Sequence, residues 1–337
     1  MLNVLKKLLQ GRLNAPVAFP SGPVSTELDI RMCFRLLLDR PPNPEEWAGH
    51  SAQAGHPLSP VVAGYVNSLE FARRGLQRLD PARQPKLAQF DGFKIYADPA
   101  DLQIGQHVLA GAYEPEVAAV FHGLLRPGMA VIDIGANIGY FSMLAASLVG
   151  PTGAVLAIEP NPANIRLLEA SRRANGFHHV TTAQVAAGRE IGLLMLNTTH
   201  SNGTTSDFGD DIDMLLAAQT VACVPVDTLV AGWGNKRVAL LKIDVEGAEY
   251  NALLGANALI ARDRPVIVSE FAPDMMPNIS GVDGPTYLRL LTGHGYTLSV
   301  IHPGGPPHPA GQDVDRVMAA YAARGTDHID IVATPTE

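Results

Sequence analysis

The sequence predicts an α/β domain built on a doubly wound, mostly parallel sheet, preceded by a small all-α unit. Three observations carry that expectation. From about residue 130, short apolar runs alternate with helically spaced segments, the pattern of strands joined by crossover helices. The run Val131-Ile-Asp-Ile-Gly-Ala-Asn-Ile-Gly139 passes from buried strand to glycine turn to helix without a break. Before residue 80 the spacing is helical only, interrupted at Pro41-Pro-Asn-Pro44.

Taken in order, residues 1–24 form a short, basic, amphipathic tail. It has neither the long apolar core nor the small-residue cleavage site of a signal peptide, so a cytoplasmic chain is expected. Residues 25–78 read as a helical accessory domain, with Ile30, Phe34, Leu37 and Leu38 on one helical face. Asn43 is placed to cap a helix whose first position is Pro44 and whose first turn carries Glu45 and Glu46. Residues 79–90, with Pro81 and Pro85, read as a linker.

The remainder, 91–337, reads as the α/β domain. Phe93-Lys-Ile-Tyr-Ala97 alternates like one strand of a hairpin that covers a ligand mouth. A helix over 115–125 is stopped by Pro127-Gly128. Strands are expected at 130–134, 155–159, 180–185, 221–225, 239–244, 266–270 and 328–333.

Composition bounds the function. With 47% hydrophobic residues the chain can bury a full core, and no stretch is long enough for stable membrane insertion. A net charge of −8, with no Lys/Arg cluster interleaved with aromatics, excludes a general nucleic-acid binder. Cys33 and Cys223 lie too far apart to suggest a disulfide framework or a zinc ribbon.

The chemistry begins at the glycine turn. Gly135 and Gly139 let the backbone turn sharply and approach a ligand. Their G-x-x-x-G spacing is not the G-x-G-x-x-G of a dinucleotide site. Asp133 stands at the entrance, where it would repel phosphate and suit a cationic or amino-acid group. One β-α-β unit later, Glu159 closes the next apolar run, where an acid can accept both hydroxyls of a ribose. Asn161 is placed to cap the following helix, with Pro162 at its first position.

Five segments together resemble the FkbM family of S-adenosylmethionine-dependent methyltransferases, over roughly 93–301. They are Gly111-Ala-Tyr-Glu-Pro115, Asp133-Ile-Gly-Ala-Asn-Ile-Gly139, Glu159-Pro-Asn-Pro162, Leu241-Lys-Ile-Asp-Val-Glu-Gly-Ala-Glu249 and Val268-Ser-Glu270-Phe. The resemblance implies a seven-stranded methyltransferase-type sheet with an antiparallel last strand, and S-adenosylmethionine as cofactor. Glu114, Asp133, Gly135, Asn137, Gly139, Glu159, Asn161 and Asp244 would hold it, with Val185 and Ala186 along the adenine face.

Asp244, Glu270 and His200 are the candidates for catalysis, His200 from a polar loop. Lys242 shares the strand face of Asp244 and is expected to pair with an acid. Asp244 and Glu270 could offer two oxygens to magnesium, but a cofactor and substrate crevice needs the same acids, so no metal is expected. The N-terminal pattern resembles a helical domain of unknown function that accompanies bacterial surface-layer and glycosylation proteins. The expected acceptor is therefore a hydroxyl of a sugar or glycan precursor. The helical domain would serve for docking a partner protein or a second copy. A polyketide-like acceptor, or a binding scaffold without catalysis, are the alternatives.

Overall fold

The computed structural model describes residues 23–74, 84–197, 203–207, 212–217, 219–233 and 236–336. The chain divides into two compact units, Met1–Arg83 and Gln84–Glu337. The expected tail through residue 22, the start of the linker and His200 lie outside the described residues.

In the first unit, helices span Glu27–Met32, Pro44–Ser51, Leu58–Val66 and Leu69–Arg74, with a π-helical segment at Cys33–Leu37. The face read from the sequence is the buried one: Ile30, Phe34 and Leu38 form a small core with Val61 and Tyr65. Thr26 with Asp29, and Asn43 with Glu46, make reciprocal capping boxes, each contributing about 1 kcal/mol. Arg40 bonds both Glu46 and Glu70, joining the second helix to the last.

The second unit opens with the hairpin of β1 (Lys86–Gln89) and β2 (Lys94–Ala97). The expected linker therefore stops short of residue 90. The mostly exposed β1 lacks a readable alternation and is ordered by pairing with β2. The hairpin also does not cover a ligand mouth. β2 docks on the helix Pro162–Asn175, where Tyr96 N donates to Ser171 Oγ (2.9 Å) and Lys94 N to Asn175 Oδ1 (2.7 Å).

Further strands are β3 (Ala130–Ile134), β4 (Ala154–Ile158), β5 (Val180–Ala183), β6 (Ala186–Ala187), β7 (Gly192–Asn197), β8 (Thr204–Ser206) and β9 (Gln219–Val224). β10 (Val238–Ile243), β11 (Val266–Phe271), β12 (Tyr296–Val300), β13 (His308–Gly311) and β14 (Ile329–Pro335) complete the set. The main sheet has eight strands in the order β13-β12-β14-β11-β10-β3-β4-β5. β11, β10, β3, β4 and β5 are mutually parallel, and β14 is antiparallel to β11 as expected.

Membership differs from the seven strands expected. The 221–225 segment belongs to a second sheet, β6-β9-β7-β8, because β9 pairs with β7 over five rungs on one edge and with β6 on the other. β12 and β13 extend the main sheet instead. β13 contains Pro309 and Gly311 and reads poorly as a strand, but as an edge it needs only the β12 ladder.

Period-two alternation then sorts the strands into two faces. Ile132, Ile134, Leu156, Ile158, Leu241 and Ile243 pack on one side. Val131, Val155, Leu240, Val268 and Val332 pack on the other, beneath the helix Tyr140–Val149. No described helix is long and apolar enough to cross a membrane.

Candidate active site

The second of these faces ends in charge. Asp133 follows Val131 by two residues, Lys242 follows Leu240, Glu270 follows Val268, and Asp330 precedes Val332. All four therefore share a face near the carboxyl ends of the parallel strands, where α/β folds collect ligands. Register aligns them directly: Lys242 lies opposite Asp133, and Glu270 opposite Asp330.

Lys242 organises this rung. Its Nζ donates to Asp244 Oδ2 at 2.8 Å and stands 4.8 Å from the centroid of the Phe141 ring. Burial disfavours its ammonium, yet Asp244, Asp133 and Glu114 outweigh that and raise its pKa above the ordinary lysine range. The structural pair expected for Lys242 is thus formed. Asp133 is fully buried. Its Oδ2 accepts from Ser142 Oγ at 2.6 Å, and burial raises its pKa against the opposing effects of Lys242 and Ser142.

The turn above β3 is tied to β4 through Glu159. Asn137 N donates to Glu159 Oε2 (2.9 Å) and Asn161 N to Oε1 (2.8 Å). Asn137 reaches its place with φ +50, a left-handed conformation that asparagine tolerates better than most residues. Asn161 Oδ1 accepts from Ala163 N at 2.9 Å and caps the helix that begins at Pro162, as expected. Burial pushes Glu159 up to about 7 despite these N–H donors.

A cleft of about 330 Å³ opens over these strand ends, within the size of small-molecule sites. Gly135, Asn137, Glu159, Val185 and Ala186 line it, together with Glu114, Asp244 and Glu270. Three expected cofactor contacts are not on its wall. Asp133 is buried beside Lys242 and bonded to Ser142. Gly139 starts the next helix against Leu168, and Asn161 is occupied with capping.

The sequence reading missed Tyr113, Glu246 and His328, which line the cleft, and Asp330 beside them. A signal for the last two was present. An antiparallel strand enters a sheet where the parallel strands leave it, so the first residues of β14 return to the crevice. Burial, with Asp244 and Glu246 nearby, raises the Glu270 carboxyl well above its usual range. Burial also raises Glu114 and Asp330, which face Asp244. The crevice thus concentrates carboxyl groups around Lys242 and His328.

A methyltransferase FkbM domain matches residues 133–298. The 31-O-demethyl-FK506 methyltransferase FkbM of Streptomyces tacrolimicus is 31% identical over 237 residues, 60% of this chain and 85% of that protein. Methyltransferase 1 of Beauveria bassiana is 30% identical over 246 residues, 66% of this chain and 93% of that protein. Among solved structures, methyltransferase FkbM from Methylobacillus flagellatus KT is similar at 17% identity and a TM-score of 0.39, covering 69% of this chain and 55% of that one. Sharing 31% identity with a relative across 85% of that relative's length, the chain belongs to the FkbM methyltransferase family.

Proposed function

We propose that the protein is an S-adenosylmethionine-dependent O-methyltransferase acting on a hydroxyl of a sugar or glycan precursor. The observation that carries this reading is one cleft with two chemically different walls, a glycine turn closed by Glu159 and a bank of carboxyl groups. The first wall fits the cofactor. Glu159 Oε2 accepts one N–H, from Asn137, and Oε1 accepts two, from Asn161 N and, at 3.4 Å, Asn164 Nδ2. Of a carboxylate's about four lone-pair sites, one on Oε2 is open to a ribose hydroxyl, and a second hydroxyl would displace the long Asn164 contact. Gly135 and Asn137 would face the methionine part, and Val185 and Ala186 the adenine ring. Asp133, Gly139 and Asn161 would act from behind, by holding Lys242, the helix start and Glu159.

When bound, the sulfonium supplies the methyl group and a neutral thioether as leaving group. The chain's own residues have to orient the acceptor oxygen and take its proton. Asp244, held through Oδ2 by Lys242, would orient the hydroxyl. Glu270, whose Oε2 is buried with no hydrogen-bond partner among the described residues, would receive the proton on its carboxylate, a role worth roughly 100-fold to 10,000-fold. Glu114 would flank the transferred group.

Transfer to oxygen is supported by the Streptomyces relative, named for 31-O-demethyl-FK506. The sugar or glycan acceptor is supported by the resemblance of the helical unit to a glycosylation-associated domain. That unit is read as a docking module for a partner protein or a second copy, and the enzyme as cytoplasmic. The second reading is a polyketide-like small molecule as acceptor, and the Streptomyces relative, named for a small-molecule substrate, supports it. Calorimetry should give binding of S-adenosylmethionine and none of NAD. Mass spectrometry of a panel of sugar and polyketide-like acceptors should then show a gain of one methyl group. Folded protein that binds no S-adenosylmethionine would sink the reading.

Glu159 adds a pH prediction. Ribose hydroxyls need its ionised form, and its pKa is pushed up to about 7. Affinity should therefore rise with pH through neutrality, with roughly a tenfold deficit at pH 6 relative to the alkaline plateau. E159Q should weaken binding by about 10-fold to 100-fold and flatten that dependence. Calorimetry of both proteins across this range is the check. A wild-type affinity independent of pH would reject the ribose assignment.

A further inference from the structure

We propose that Asp244, Glu246 and Glu270 bind a divalent, oxygen-preferring cation such as Mg²⁺ or Mn²⁺ at the acceptor wall of the cleft. The proposal deepens the methyl-transfer reading and rests on it for the cation's use. It departs from the metal-free expectation drawn from the sequence, where Asp244 and Glu270 were the only ligands in view.

The geometry is close to a coordination shell. One carboxylate oxygen from each residue lies within 4.8 Å of the other two. Points so spaced fit on a circle of at most about 2.8 Å radius, and hard cations take carboxylate oxygens at roughly 2.0–2.6 Å. Small side-chain rotations would close the shell. The three residues come from the ends of two adjacent parallel strands and the turn between β10 and its following helix, so the backbone brings them together without a mobile loop. Glu246 holds φ +55, a conformation uncommon for a side-chain-bearing residue, and from it lines the cleft.

Glu270 supplies the independent observation. Its side chain is only 10% exposed, lines the cleft, and leaves Oε2 without a hydrogen-bond partner among the described residues. Such an orphan oxygen is unfavourable to bury and calls for a donor or a cation. Lys242 cannot be freed to serve it, since its ammonium holds Asp244. His328 approaches only the other oxygen, Oε1, and at 3.7 Å. A cation on the cleft side would satisfy Oε2 and join the three carboxylates.

Three protein ligands leave positions for water and for substrate oxygens. That arrangement suits an acceptor with two neighbouring hydroxyls, both on the metal, one of them methylated. The cation would make that hydroxyl more acidic, and a carboxylate ligating through one oxygen keeps the other for the proton.

The test is a titration of the full-length protein with Mn²⁺, followed by the paramagnetic resonance of the free ion, without cofactor. One Mn²⁺ per chain is expected at submillimolar concentration. E246Q or E270Q should weaken it at least about tenfold. E246Q alters a partly exposed turn and keeps the test usable if E270Q fails to fold. No binding to the wild type at millimolar Mn²⁺, or unchanged affinity in both variants, would overturn the cation site. Calorimetry with S-adenosylmethionine on the same samples separates the two readings. Cofactor binding without a manganese site rejects the cation alone, whereas manganese binding without cofactor binding rejects the methyl-donor reading and leaves the cation site standing.

Discussion

Replacing Lys242 with methionine should lower the unfolding free energy by about 3–5 kcal/mol, the usual cost of stripping one partner from a buried ion pair. Methionine preserves most of the stem's packing, so the loss reports charge and not a cavity. The side chain of Lys242 is 5% exposed and bonded to Asp244, and its register partner is the fully buried Asp133. Without the ammonium, Asp133 retains Ser142 as its hydrogen-bond donor but has lost its counter-charge. It would then take up a proton or draw in water, and either route costs stability. Denaturant unfolding should show a lower midpoint at an unchanged slope. Adding D133N to K242M should recover part of the loss, because a neutral amide needs no counter-ion. A single-variant cost below about 1 kcal/mol would mean that the pair does not hold these strand ends together.

This pair also marks how far the sequence could be read. Lys242 and Asp244 share a face because strand side chains alternate, and two residues of spacing suffice to see it. The turn after β3, the cap at Asn161 and the acid closing β4 were legible for the same reason, since each is written within a few residues. What was not legible depends on pairing across long stretches of chain. Asp133 looked like a ligand contact because it precedes the glycine turn. It is not among the residues lining the cleft, and β3 pairs with β10 in a register that sets it beside Lys242. Glu246 follows the β10 end in sequence, yet its approach to Glu270 exists only once β10 and β11 are neighbours. β9 has as good an alternation as any core strand, but its partners β6 and β7 take it into the second sheet. Local periodicity finds strands; it does not assign them to sheets.

Gly135→Ala should be the most damaging glycine-to-alanine change among the described residues, because the glycine turn and the end of β10 meet at this residue. A Cβ at Gly135 would stand 1.7 Å from the carbonyl oxygen of Asp244, with the Val245 side chain at 3.1 Å. Backbone cannot swing aside as a side-chain tip can. Asp244 N donates to Ile134 O at 3.0 Å, and Gly135 N to Ile158 O at 2.9 Å, so moving either strand end breaks the ladder that joins them. The substitution must then push the Asp244 segment off the turn, separating the proposed acceptor wall from the cofactor wall. Gly135 also holds φ +78, which alone costs an alanine about 1–2 kcal/mol. A control isolates the steric part: Gly176 ends a helix at φ +65 with nothing within 4 Å of an added Cβ. G176A should cost only that conformational 1–2 kcal/mol and leave cofactor binding unchanged. G135A should cost more than about 4 kcal/mol, in the range of severe core overpacking. Where it folds, it should bind S-adenosylmethionine at least about 100-fold more weakly, a loss of roughly 2.7 kcal/mol. Melting curves and calorimetry on the two variants give the comparison. Equal effects would mean that the turn and β10 are not braced against each other, and that the glycine is there for its backbone angle alone.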